Sequence, residues 1–236
     1  MNEYEQNCLR DALTWKKKLL KKTGSIEKFS RKTQLKMNRY IPDKIHTGIT
    51  ASIRYFIETM LTGSGYITKE KEVRMLTFQQ KEEWVQEKIG TYRKTAVIEG
   101  IGTGAGGLLI GLTDFPLLLS IQMKLLFDIS GLYGFNAKKY EERLFILYIF
   151  HITFSSNETK LKHLPLIERW NESEKHPELD WYTVQQEYRD YVDLVKMLQL
   201  VPGIGAAVGA YANHNLLVHL GETAQNCFRL RMLEQK

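Results

Sequence analysis

Gly102, Gly104 and Gly107 stand in the G-x-G-x-x-G pattern that cradles a dinucleotide pyrophosphate. That chemistry needs a strand before the loop, a helix after it and an acidic residue ending a second strand. Only Thr95–Ile98 offers a first strand, and no second strand follows. A phosphate loop of the G-x-x-x-x-G-K type fails too, because Leu108 stands where Lys is required. His214, His219 and Glu222 invite a metal reading, but the two histidines are five apart. That spacing turns them about 140° from each other on a helix. Cys227 lies close to Arg229 and Arg231, cations that lower a thiol pKa, yet no histidine base is placed beside it. His151 falls in an apolar stretch and reads as a core histidine. His163 and His176 flank a loop with no cysteine nearby. These residues lead us to expect no catalytic residue, no metal and no cofactor. We lean against an enzyme, and keep an uncharacterised hydrolase-like enzyme as an alternative.

Close helix packing accounts for the glycines better. Gly100 and Gly104, and Gly107 and Gly111, are each four apart, and small residues at that spacing let two helix backbones approach. Gly205 and Gly209, with Asn213 one turn on, form a matching face near the C-terminus. Between Ile101 and Met123 the single ionisable residue is Asp114. The length suits a bilayer, for which about 20 apolar residues suffice. Asp114 and Pro116 fall mid-stretch, where a charge is expensive, so an interfacial hairpin fits better than a clean span. Asp114 can cap a helix from Phe115, with Pro116 in its first turn. On that helix Leu118, Ile121, Leu125, Ile129 and Leu132 point inward, while Ser120, Lys124 and Asp128 form a narrow polar stripe. The stripe reads as an internal ion pair or a partner contact. Asp114, Asn213, Lys124 and Asp128 are the candidate functional polar residues.

The elements that position these residues are helical throughout. Cys8, Leu9, Ala12, Leu13, Leu19 and Leu20 make an apolar stripe on a first, basic helix. Pro42-Asp43 starts another, with Ile45, Ile49, Ile53, Phe56, Ile57 and Met60 on one face. Thr77 and Gln80 fit a capping box. The helix it opens carries Trp84, Val85, Ile89, Tyr92 and Ala96. Asn136 is placed to cap a further helix, in which Leu144 to Phe150 is apolar all round and too short to cross a bilayer. From Trp181, the positions Val184, Tyr188, Tyr191, Val192, Val195 and Leu198 form a stripe. Pro202-Gly203 interrupts it, and a final helix runs to about Leu233. No alternating β pattern of useful length occurs. The fold class is therefore all-α: a single helical domain around two glycine-rich packed helices, with a basic helical extension.

Charge divides the chain. Residues 1–44 carry 12 Lys/Arg against 5 Asp/Glu, and the remainder 21 against 22. We assign 1–44 as a basic N-terminal helical segment and 45–236 as the main domain. The segment reads as a solvated helix face or as one drawn to anionic headgroups, by about 1 kcal/mol per Lys/Arg near the surface. Its cations do not alternate with stacking aromatics, and no nucleic-acid motif accompanies them, so no nucleic-acid partner is expected. Two cysteines at opposite ends read as free thiols in a reducing compartment. Residues 1–20 lack the apolar core of a secretory signal.

The motifs Gly106-Gly107-Leu108, Thr113-Asp114-Phe115-Pro116 and Leu132-Tyr133-Gly134-Phe135 resemble the EcsC family. So does the run Val201 to Ala210 with Asn213, ending in Arg229-Leu230-Arg231. The resemblance covers roughly residues 45–236. It implies a helical protein encoded beside an ABC transporter ATPase and its membrane subunit; together with the basic N-terminus, this leads us to expect an accessory protein associated with an ABC transport system at the cytoplasmic membrane face, with ABC transporter subunits and an anionic membrane surface as partners. Its location would be cytoplasmic, peripheral at the inner face of the cell membrane. It implies no known reaction and no catalytic residues. A lipid-binding protein that engages the membrane through the 100–127 hairpin is the alternative closest to it.

Overall fold

The computed structural model describes residues 1–21, 43–62, 73–104, 115–173, 175–199 and 205–234. Among them lie eight α-helices and no strand: α1 Glu3–Lys21, α2 Asp43–Thr62, α3 Phe78–Gly104, α4 Phe115–Tyr133, α5 Tyr140–Phe154, α6 Asn157–Glu168, α7 Trp181–Gln199 and α8 Gly205–Leu233. They form one all-α domain, as the periodicity predicts. Thr95–Ile98, the one candidate strand, lies inside α3, which removes the dinucleotide reading.

Local chemistry starts and stops these helices. Asn2 and Glu5 cap α1 reciprocally: the Glu5 amide donates to Asn2 Oδ1 at 2.8 Å and the Asn2 amide to Glu5 Oε2 at 3.0 Å. Thr77 and Gln80 do the same for α3, at 2.9 and 3.3 Å. Ser156 accepts from the Thr159 amide to open α6, and Asp180 accepts from the Tyr182 amide to open α7. Gly134, at φ 93°, ends α4. The Phe135 amide reaches back to the Ser130 carbonyl and the Gly134 amide to that of Gly131, the paired closure that a left-handed residue permits. Asn136 does not cap α5 directly. Its side chain accepts from the Lys138 amide one turn earlier, and Lys139 occupies the capping position without a side-chain bond.

The longest helix, α8, is the axis of the fold and packs against α1, α3, α4, α5, α6 and α7. It buries Leu216, Leu217, Leu220, Ala224, Cys227, Phe228 and Leu230. From Leu144 to Phe154 every residue of α5 is buried, as an all-round apolar helix requires. Aromatic rings join the layers. Phe228 of α8 lies 5.1 Å from Tyr133 and from Phe145, and Phe150 of α5 lies 4.7 Å from Phe56 of α2 and from Tyr188 of α7. α1 lays Cys8, Ala12 and Leu19 inward.

The α3–α8 pairing is the most extensive, and it is antiparallel. Glu82 meets Arg229 and Gln225, Gln86 meets Gln225, and Ile89 meets Gly221. The glycine is required at that crossing: a Cβ on Gly221 would stand 2.7 Å from Ile89 Cγ1. Gly221→Ala is therefore expected to destabilise by about 1–3 kcal/mol through overpacking, although alanine is the better helix former by about 1 kcal/mol. In a urea-melt double-mutant cycle, Ile89→Ala should offset that loss, giving strong non-additivity. Additive effects would show that Gly221 serves something other than this crossing.

Candidate functional site

The two candidates on α4 meet each other. Lys124 Nζ and Lys88 Nζ of α3 each lie 3.8 Å from Asp128 Oδ2, and the Tyr92 hydroxyl donates to the same oxygen at 2.8 Å. Within the stripe, Lys124 and Asp128 thus belong to an ion-pair cluster that ties α3 to α4, with both lysines half-exposed. Ser120 turns back to the Pro116 carbonyl. Gly100 and Gly104 lie in the last turns of α3, and Gly205, Gly209 and Asn213 in the first turns of α8. Asp114, Gly107 and Gly111 lie outside the described residues, as do the side-chain surroundings of Asn213.

A polar centre that the periodicity did not mark lies where α1, α3, α4 and α8 converge. Glu82 is 2% exposed. Its Oε2 accepts from Arg229 Nη2 at 2.5 Å, Arg229 Nε at 3.0 Å and Gln225 Nε2 at 2.7 Å; its Oε1 accepts from the Tyr133 hydroxyl at 2.5 Å. Gln86 extends the network to Gln225 at 2.6 Å, and the Lys81 ammonium donates to the Tyr133 carbonyl at 3.2 Å. Burial, and then the Glu82 charge, push the Tyr133 hydroxyl well above its ordinary pKa. Burial opposes the charge of Arg229, but its bonds to Glu82 outweigh that and raise its pKa. The signal in the sequence was that Glu82 stands three and seven residues before Val85 and Ile89, on the buried stripe itself.

A second buried pair closes the α5–α8 face. The Arg231 guanidinium donates from Nη1 and Nη2 to Glu142 at 2.6 and 2.8 Å and from Nε to Asn171 at 2.8 Å. It also lies over the rings of Phe135 and Phe145, 4.1 and 4.4 Å from their centroids. On α5, His151 is held by Glu187 at 2.6 Å, so the core-histidine reading stands.

The arrangement organises no nucleophile. Cys227 is fully buried, and burial raises its pKa, opposite to the activation its neighbouring arginines suggested. Those arginines are committed to Glu82 and Glu142. Cys8 is raised too, by burial first, with the cation of Arg229 pulling the other way. No group of three or more His, Cys, Asp or Glu among the described residues could hold a metal ion. His219 and Glu222 line a groove of about 570 Å³ between α1 and α8, beside Asp11, Trp15, Lys18 and Lys21, whereas His214 is half-exposed and touches Asn215.

The Glu82–Arg229 pair has a measurable consequence. Glu82→Ala leaves the Arg229 guanidinium without its carboxylate, which costs about 3–5 kcal/mol for a buried pair broken on one side. Adding Arg229→Leu removes the stranded charge and should recover a large part of that in chemical denaturation. Equal, independent losses would refute the coupling.

Comparison with known proteins places this helical architecture in a family. The EcsC protein family matches residues 6–233, starting within α1. The chain is 46% identical over 230 residues to Protein EcsC of Bacillus subtilis (strain 168), covering 98% of this chain and 97% of that protein. It is 25% identical over 252 residues to the Uncharacterized protein YdbA of the same organism, covering 97% and 92%. No solved structure matches. The chain belongs to the EcsC protein family.

Proposed function

We propose that this chain is a non-catalytic accessory protein of an ABC transport system that works at the cytoplasmic face of the membrane. The observation that carries the reading is the two-sided character of α1. Its apolar side is buried by Cys8, Ala12 and Leu19, and Lys16 is paired with Glu168 of α6. Lys17, Lys18 and Lys21 are left exposed, with no carboxylate partner among the described residues. α1 thus offers an anionic surface a fixed row of cations without giving up core contacts. The transport association rests on the family resemblance. None of the described helices is long and apolar enough to cross a membrane.

A second reading, lipid contact through the 100–127 hairpin, draws on the α3–α8 register. Extended along straight helices, the pairs Glu82–Arg229, Gln86–Gln225 and Ile89–Gly221 put Gly100 and Gly104 level with the first turns of α8. Two uncharged glycine-rich stretches then share one end of the domain.

Liposome flotation separates the two readings. With an anionic surface contributing about 1 kcal/mol per lysine, neutralising Lys17, Lys18 and Lys21 to Gln should lower partitioning by about a hundredfold, and salt should do likewise in the native chain. Flotation on neutral vesicles that survives both changes would favour the hairpin. No flotation on either, with no recovery of the chain with the transporter in low-salt membrane fractions, would refute the membrane-face proposal.

A further inference from the structure

Two imidazoles touch where α5, α6 and α7 meet. The ring centroids of His151 and His163 are 5.1 Å apart, and the residues are 3% and 8% exposed. Glu187 of α7 closes the cluster, with three hydrogen bonds. Its Oε2 lies 2.6 Å from His151 Nε2, and its Oε1 accepts from the Thr159 hydroxyl at 2.8 Å and the Ser156 amide at 3.3 Å. Nδ1 of His151 and Nδ1 of His163 are both buried with no partner among the described residues. On the other side of His163 stands the Tyr148 ring, edge-on at 5.1 Å, its hydroxyl committed to the Pro177 carbonyl at 2.9 Å.

The surrounding charges determine what the cluster tolerates. From α6 the nearest is the Lys162 cation, and from α5 His151 itself; α7 contributes Glu187, with Asp190 one turn on, and Asp180 acts on His151 from the start of that helix. A proton on His151 meets a carboxylate. A proton on His163 is opposed by burial, the neighbouring imidazole and the Lys162 cation, and only partly offset by the Glu187 charge. α6 also carries two tethers of α1: Glu168 pairs with Lys16, and the Asn157 side-chain amide donates to the Leu20 carbonyl.

We propose that the His151–His163 contact is an acid-operated release for α6: protonation of His163 places a charge in a buried ring contact that offers its Nδ1 no acceptor among the described residues, and the helix leaves with its two tethers to α1.

The pH window follows from the groups themselves. Burial first, then His151 and Lys162, lower His163 from 6.5 to about 4. A histidine held below its unfolded value stabilises the closed form above that value, and the contribution is lost as pH falls from 6.5 towards 4. Burial raises the pKa of Glu187, but hydrogen bonds from His151, Thr159 and Ser156 together with the His151 charge outweigh it and set it at about 2. Its carboxylate therefore stays charged throughout the window, and its own loss begins only below 4.5.

Hydrogen exchange on the full chain, corrected for intrinsic rates, tests the release. Local opening of Asn157–Glu168 should rise about twentyfold from pH 7 to pH 5, with α8 unaffected, and His163→Gln should abolish the rise. An unchanged α6, a uniform loss across all helices, or the same rise in H163Q would overturn the proposal. If H163Q does not fold, NMR titration of the native imidazoles decides. A His163 value below 5 supports the release, and one near 6.5 overturns it.

Discussion

A helix of 29 residues with apolar side chains on most of its circumference is stable only when other helices cover it, and α8 imposes that demand on the whole domain. Six helices meet it. Each leaves its own signature on α8: Ile89 fills the notch at Gly221, Phe145 and Tyr133 close on Phe228, and α1 lays down its short apolar stripe. The surrounding helices have little freedom once α8 is placed, because interiors pack at near-crystalline density and a methyl group in the wrong position is felt. Gly221 is where that limit is reached, and its missing side chain is occupied by Ile89.

Apolar packing limits the register through shape alone, as at Gly221, and the penalty for a slip rises when charges are buried with it. The buried polar groups add that penalty. Glu82 receives Arg229, Gln225 and Tyr133 from two other helices, and Arg231 receives Glu142 and Asn171 while lying over two phenyl rings. Shifting α3 by one turn against α8 would strand a carboxylate and a guanidinium in a place where neither can be hydrated. The same commitments keep Cys227 from activation. The arginines beside Cys227 neutralise carboxylates instead of stabilising a thiolate, and the buried His151–Glu187 pair faces a second imidazole.

The helices, and the sides of them that turn inward, were legible in the residue order. Val85 and Ile89, Ile53 and Phe56, and Leu125 and Ile129 are buried at the spacing that predicts them. The Thr77–Gln80 cap formed where its two residues announce it. The core role of His151 was also readable from its apolar neighbours. Asn136 misled because a side chain that caps a turn and one that caps a helix have the same composition and differ only in where the next turn begins.

Helical periodicity and capping are decided within a few residues, by a 3.6-residue repeat and by amides that need an acceptor, so the sequence alone determined an all-α chain and most of its buried faces. It could not determine which charges would be buried. Glu82 and Arg229 are 147 residues apart, Glu142 and Arg231 are 89, and His151 and Glu187 are 36. A charge on an apolar stripe is untenable until its partner is known, and only the tertiary structure supplies the partner. Burial of an ion depends on one specific opposite group arriving across the core, whereas burial of an isoleucine depends only on something apolar being there.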